Sequence, residues 1–281
     1  MKKTLFLLSG LFIGFGSMAQ VKTPQLSPRV EIEQTVGLTE IEIDYSRPSL
    51  RGRDLHKEII PVGKKWRFGA NKNTTISFET PVKFGGKDVK EGEYAMYAVP
   101  GEKEWKITLY SDVENWGIPK KWENEKVVAE LMVPVTKLKK SVETFTISFD
   151  NLTINDFDLN ASWGNSMLSI KVELPTNELT VASIKETMNG TPTERDYYSA
   201  STYYLNSGTE LEKSLEYINK AIELKGDAPF YYVRKKAIIL NKLGRNEEAI
   251  EAAKVSLKKA TDAGNADYIR MNQKSIEEWS K

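Results

Sequence analysis

Between Arg29 and Leu174 apolar side chains recur at every second position. In T-E-I-E-I-D-Y-S, Thr39 to Ser46, the residues Ile41, Ile43 and Tyr45 share one face, and Glu40, Glu42 and Asp44 share the other. That period of two is the mark of a half-buried strand. Val30, Ile32 and Val36 repeat it just upstream, with Gly37 at the turn, so the pair predicts a hairpin. Further strands are predicted over 74–79, 81–84, 93–99, 105–110, 126–133, 142–149, 152–163 and 167–174. Gly, Pro and Asn punctuate them, and no run between them is long enough for a crossover helix. The pattern predicts an antiparallel β-sandwich over residues 20–175.

After Pro175 the character changes, and from about Ile184 onward the apolar spacing runs in steps of three and four. Leu211, Leu215, Ile218, Ala221 and Ile222 form one helical stripe, and Leu243, Ala249, Ile250, Ala253 and Leu257 form another. The two stretches are copies at a spacing near that of tetratricopeptide repeats. Tyr198 matches Val233, Leu205 matches Leu240, Ser214 matches Ala249 and Ile218 matches Ala253. The expected organisation is therefore a β-sandwich, a linker over 176–195, and a small tetratricopeptide-like helical domain over 196–281. The helix Ala266 to Trp279 is expected to cover the end of the stack.

The start of the chain adds a destination. Lys2 and Lys3 precede an apolar run from Leu5 to Phe15, then Ser17-Met18-Ala19, which predicts a signal peptide at 1–19 cleaved before Gln20. The run is shorter than the roughly 20 residues that span a bilayer. The reading is export to the periplasm or beyond, with no membrane insertion after cleavage. Forty basic residues against 39 acidic ones give no field to draw in nucleic acid. With no cysteine and one histidine, the chain offers no disulfide, no thiolate nucleophile and no histidine cluster for zinc. No metal, cofactor or catalytic set is expected.

Several ordered motifs carry a family resemblance: Y-S-R-P with R-G-R (Tyr45 to Arg53), I-P-V-G-K-K-W-R-F-G-A-N (Ile60 to Asn71), G-E-Y-A-M-Y-A-V-P (Gly92 to Pro100), W-K-I (Trp105 to Ile107) and N-W-G (Asn115 to Gly117). Over roughly Ser27 to Leu174 the chain resembles a bacterial family known as domain of unknown function 2911. The resemblance implies an exported β-domain, in some members followed by tetratricopeptide-like helices, and it implies no activity. Where the family pattern has Thr, this chain has Phe68.

Arginine and tryptophan concentrate in those motifs. Guanidinium groups bind carboxylates and phosphates bidentately, and indole faces stack on sugars. A pocket for an anionic or glycan-like ligand would use Arg47, Arg53, Trp66, Arg67 and Asn71, with Trp116 of the N-W-G loop as an exposed platform. The competing reading, favoured on the residues alone, has the arginines pairing with Asp44, Asp54, Glu58 or Glu93 to tie loops to the sheet, and Trp66 in the core. His56 sits in a charged stretch and reads as solvated. Asp156 and Asp158, two apart on one strand, are a weak acid pair.

On the helices, the first member of each pair offers Tyr203, Asn206, Tyr231, Arg234, Asn241 and Lys242 to a protein partner. The resulting expectation is an exported, non-enzymatic binding or scaffold protein. The alternative is a cell-envelope glycan hydrolase using paired carboxylates.

Overall fold

The alternation that begins at Arg29 forms the strands it predicts. The structure, a computed structural model, describes residues 23–281, so the predicted signal peptide lies outside the described residues. The chain divides into two compact units between Leu174 and Pro175.

The first unit is a pair of antiparallel sheets. One has six strands in the order β1-β2-β3-β6-β7-β8, and the other has four in the order β5-β4-β10-β9. The strands are β1 (Arg29–Val36), β2 (Thr39–Ser46), β3 (Thr74–Phe78), β4 (Val82–Phe84), β5 (Lys87–Val89), β6 (Gly92–Val99), β7 (Glu104–Tyr110), β8 (Val127–Pro134), β9 (Thr136–Asp150) and β10 (Asp156–Glu173). Register places Ile32 opposite Ile43, Ile43 opposite Ile76 and Ile76 opposite Tyr94, so inward residues line up across the larger sheet. That face meets Phe145, Ile147, Leu159, Trp163, Ile170 and Val172 of the smaller sheet in one continuous core. Burying each such side chain contributes about 1.5–3 kcal/mol.

One expectation fails instructively. The two strands predicted over 152–163 and 167–174 are one bent strand, β10, which starts at Asp156 and ends at Glu173, so residues 152–155 fall in the loop before it. Gly164-Asn165-Ser166 has the composition of a turn, but it is a bulge. The register against β9 slips on both sides of Gly164, whose φ is +57°. An added Cβ there would lie 3.3 Å from Leu55. Bulges bend a strand and turn its side chains to new directions, and this one shapes a cleft described below.

The second unit holds six helices: α1 (Thr176–Asn189), α2 (Glu194–Ser207), α3 (Leu211–Lys225), α4 (Phe230–Lys242), α5 (Asn246–Asp262) and α6 (Ala266–Trp279). The stretch expected as a linker thus contains a helix. Its apolar stripe is thin, with Ile184 the buried apolar side chain, which is why periodicity missed it. The matched positions Ser214 and Ala249, Ile218 and Ala253, and Leu205 and Leu240 are all buried. Ser201 and Ser214 fasten α2 to α3 reciprocally, each hydroxyl donating to the other's carbonyl at 2.8 Å.

Candidate functional site

The arginines of the motifs are largely consumed by the fold, and by carbonyls rather than by the acids named above. Arg47 donates from Nε to Phe145 O at 3.1 Å and from Nη2 to Thr146 Oγ1 at 2.7 Å. Ile147 N donates to Tyr45 Oη at 3.0 Å, and Phe145 N to Pro48 O at 2.8 Å. Together these bonds stitch Y-S-R-P to strand β9, so Arg47 bridges the two sheets. Asp44 is taken by Arg29 through two bonds of 2.6 and 2.8 Å. Asp54 accepts from the backbone N–H groups of Lys57 and His56, which hold its carboxyl below the ordinary carboxylate range.

The W-R-F-G-A-N turn splits its side chains between two sides. Trp66 points inward, 9% exposed, and its indole donates to Gly69 O at 2.9 Å. Rings of Phe68, Trp105, Phe145 and Trp163 surround it at centroid distances of 5.1–6.1 Å. Trp66 is core, not a ligand platform. Phe68 is 1% exposed at a φ of +52°, a conformation bulky residues rarely adopt. Arg67 turns the other way and donates to Asn71 O at 2.8 Å. Asn71 donates to Ser27 O and Ser46 Oγ, closing the turn.

Beside Arg67 lies the N-W-G loop. Gly117 N donates to Asn73 Oδ1 at 2.8 Å, Asn73 donates to Tyr97 Oη at 2.8 Å, and Tyr97 donates to Gly117 O at 3.2 Å. Burial pushes the Tyr97 hydroxyl up to about 12. A Cβ on Gly117 would come within 3.1 Å of Arg67 Nη1. Trp116, next to it, is 73% exposed. Arg67, Asn71 and Trp116 therefore belong to one surface, and Arg47, Trp66 and Arg53 to others. The single pocket expected from all of them does not form.

Arg53 opens onto a cleft of about 780 Å³, within the range of small-ligand sites. Its Nε and Nη2 are held by Leu50 O and Ser49 O, both at 2.9 Å, which leaves Nη1 uncommitted. Lys103 and Lys137 line the same cleft. Among the described residues no carboxylate oxygen lies within 4.0 Å of any of these three cations. The acids of the lining are Asp54, already capping its turn, and Glu102. Ser141, Asn165 and Ser166 add hydrogen-bonding groups, the last two supplied by the β10 bulge.

His56 is half-buried here, not solvated as its charged neighbours suggested. The π-turn Leu55–Ile59 sets its ring edge-on to Trp105 at 5.8 Å. Trp105 is 3% exposed and its indole N–H has no partner among the described residues. The weak acid pair lies elsewhere: Lys171 sits 2.6 Å from Asp156 and 3.7 Å from Asp158.

On the helices, several expected partner residues are engaged internally. Arg234 donates to Asn272 and Ser275 of α6, Tyr203 to Asn177 and Asn241 to Asn246. Asn206, Tyr231 and Lys242 stay exposed. Lys235, unremarked in the sequence, is a half-buried cation with no carboxylate partner among the described residues. It donates to Thr202 Oγ1 and lies 4.2 Å from the Tyr198 ring centroid, and burial brings its amine down to about 8.

The sign of the resulting pH dependence is fixed. Below pH 8 both native and unfolded Lys235 carry the proton, so the native state bears the full cost of a half-buried charge. Between about 8 and 10.5 the unfolded chain binds more protons than the native one, so native stability gains with pH. A Lys235→Met variant lacks this term. The melting-temperature difference between parent and variant should shift in the parent's favour from pH 7 to pH 10. A difference flat across that range would show an amine that is not depressed.

Comparison with known proteins gives a family match. The family described as protein of unknown function (DUF2911) matches residues 27–172. No curated protein and no solved structure matches the chain.

Proposed function

The chain belongs to the DUF2911 family, whose description names no activity, and from that premise we propose a function on the geometry of its cleft. The protein is an exported, non-enzymatic binding protein whose β-unit holds a small acidic sugar or similar polar anion. The observation that carries this is the set of three cations, Arg53, Lys103 and Lys137, around about 780 Å³ with no carboxylate paired to them among the described residues. Arg53 Nη1 and the two ammonium groups meet the anion. Ser141, Asn165, Ser166 and the His56 ring meet hydroxyl groups. The lysine-led apolar run at the start of the chain supports export. The tetratricopeptide-like spacing of the helices supports a protein-contact role for the second unit, through exposed Asn206, Tyr231 and Lys242.

The test uses a uronic-acid oligosaccharide and its neutral counterpart as probes. The acidic sugar should raise the melting temperature and give a calorimetric binding signal that weakens with salt, while the neutral sugar should not. Lys103→Glu combined with Lys137→Glu should abolish the signal and leave the unliganded melting temperature within about 2 °C of the parent, as expected for exposed surface positions. A signal that survives both reversals places the anion elsewhere.

A further inference from the structure

The cationic row of the cleft does not stop at Lys137. Lys137 and Ser141 both line the cleft, and both lie on β9. Further along the same strand Phe145 and Ile147 are buried in the core between the sheets. The odd-numbered residues of β9 therefore share the face turned toward the larger sheet, as the period of two requires. Lys139 lies on that face between Lys137 and Ser141, about 6.7 Å along the strand from each. Leu138, Lys140 and Val142 belong to the opposite face.

The bulge explains how a lysine comes to stand there. Between the pairs Lys137–Ser166 and Val142–Gly164, β10 supplies Asn165 alone and β9 supplies Leu138 to Ser141. The surplus chain is fastened by Asn165 Nδ2, which donates to Leu138 O at 3.1 Å. It carries Lys139 exposed beside the cleft, with no carboxylate within 4.0 Å among the described residues. Glu143, the next residue of that face after Ser141, already accepts from Arg51 N at 2.7 Å. Four cations, Arg53, Lys103, Lys137 and Lys139, thus stand against two acids, Asp54 and Glu102, and Asp54 is committed to its turn. One carboxylate halves that positive excess, and two cancel it.

We infer that the cleft takes a polyanionic glycan chain, at least two successive acidic sugar units, with Lys139 meeting a unit that projects beyond the cleft. A row of unpaired lysines selects repeated negative charge. Ser141, Asn165 and Ser166 of the lining supply hydrogen bonds to hydroxyl groups, which favours sugar units over bare phosphate. The inference rests on the anion-binding role proposed for this cleft and extends it from one acidic unit to a chain.

The probes are galacturonic acid and its oligomers of two, four and six units, titrated into the whole protein by calorimetry. Affinity should rise at least about tenfold from the single unit to the tetramer, with a steeper salt dependence. Lys139→Glu should lower tetramer affinity about fivefold or more and leave binding of the single unit within about twofold. Lys140→Glu makes the same charge change on the opposite face of the strand and should leave both unchanged. Both positions are exposed, and melting temperatures matching the parent verify the fold. Equal affinity for the single unit and the tetramer, or equal losses in the two variants, would overturn the chain inference and leave the anion site standing. Polyphosphate bound as tightly as the tetramer would overturn the sugar as the ligand class. Silence toward every length would remove the anion site itself, and this inference with it.

Discussion

Trp66→Ala is expected to destabilise the β-unit by about 3–5 kcal/mol, a fall in melting temperature on the order of 10 °C. The indole stands among four aromatic rings that join the two sheets: Phe68 and Trp105 on one side, Phe145 and Trp163 on the other. Trp163 stacks on it at 5.6 Å and 26°, and the other three rings meet it tilted or edge-on. Truncation removes a large apolar area and leaves a cavity that a rigid aromatic shell is poorly able to close. It also strips Gly69 O of its donor at the base of a turn already holding Phe68 at positive φ. Trp66→Phe should recover part of the loss, because it refills the space without restoring the hydrogen bond. Denaturation followed by circular dichroism measures both variants. A Trp66→Ala protein that melted with its parent but bound the acidic sugar more weakly would reinstate Trp66 as a ligand platform.

The strand pattern was legible because the large sheet is built from residues whose alternation is strict. Ile41, Ile43, Ile76 and Phe78 face the core, and Glu40, Glu42 and Ser77 intervene. Where the chain bends, composition misleads. Gly164-Asn165-Ser166 reads as a turn because those residues tolerate one, yet β9 continues past it, and only pairing with a partner strand distinguishes a bulge from a turn. The helix at Thr176–Asn189 was missed for a different reason, since a helix burying little carries little periodicity.

The site was less legible than the fold. Sequence proximity grouped Arg47, Arg53, Trp66, Arg67 and Asn71, but successive residues of an extended segment point to opposite sides. Trp66 and Arg67 are adjacent in the chain and serve different surfaces. Lys103 comes from the turn between β6 and β7, Lys137 from β9 and the bulge residues from β10, and a lone lysine in a β-hairpin carries no signal until the cleft it borders is seen. His56 shows the converse, since its charged neighbours suggested solvation but the π-turn places it against Trp105. The arginines tie loops to carbonyls because peptide oxygens at a sheet margin need donors, and a guanidinium supplies several from one side chain.

The N-W-G motif finds its physical reason in Asn73, and Asn73→Ala is expected to cost about 2–4 kcal/mol. Asn73 is 1% exposed and holds the loop from both ends of its amide, accepting from Gly117 N and donating to Tyr97 Oη. Alanine leaves the Gly117 N–H buried without an acceptor, and an unmet buried donor costs more than a hydrogen bond contributes. Tyr97 keeps its bond to Gly117 O, so the loop should loosen rather than detach. The consequence should be local and readable: trypsin should cut faster after Lys120 and Lys121, which lie between Gly117 and Trp122. The outer patch of Tyr97 and Tyr110, roofed by Trp122 at 5.2 and 4.4 Å, should then take up water. Equal protease resistance with a melting temperature unchanged within about 1 °C would assign the anchor to Trp122 stacking on Tyr110 instead. In that case the surface shared by Arg67, Asn71 and Trp116 would not depend on Asn73 for its shape.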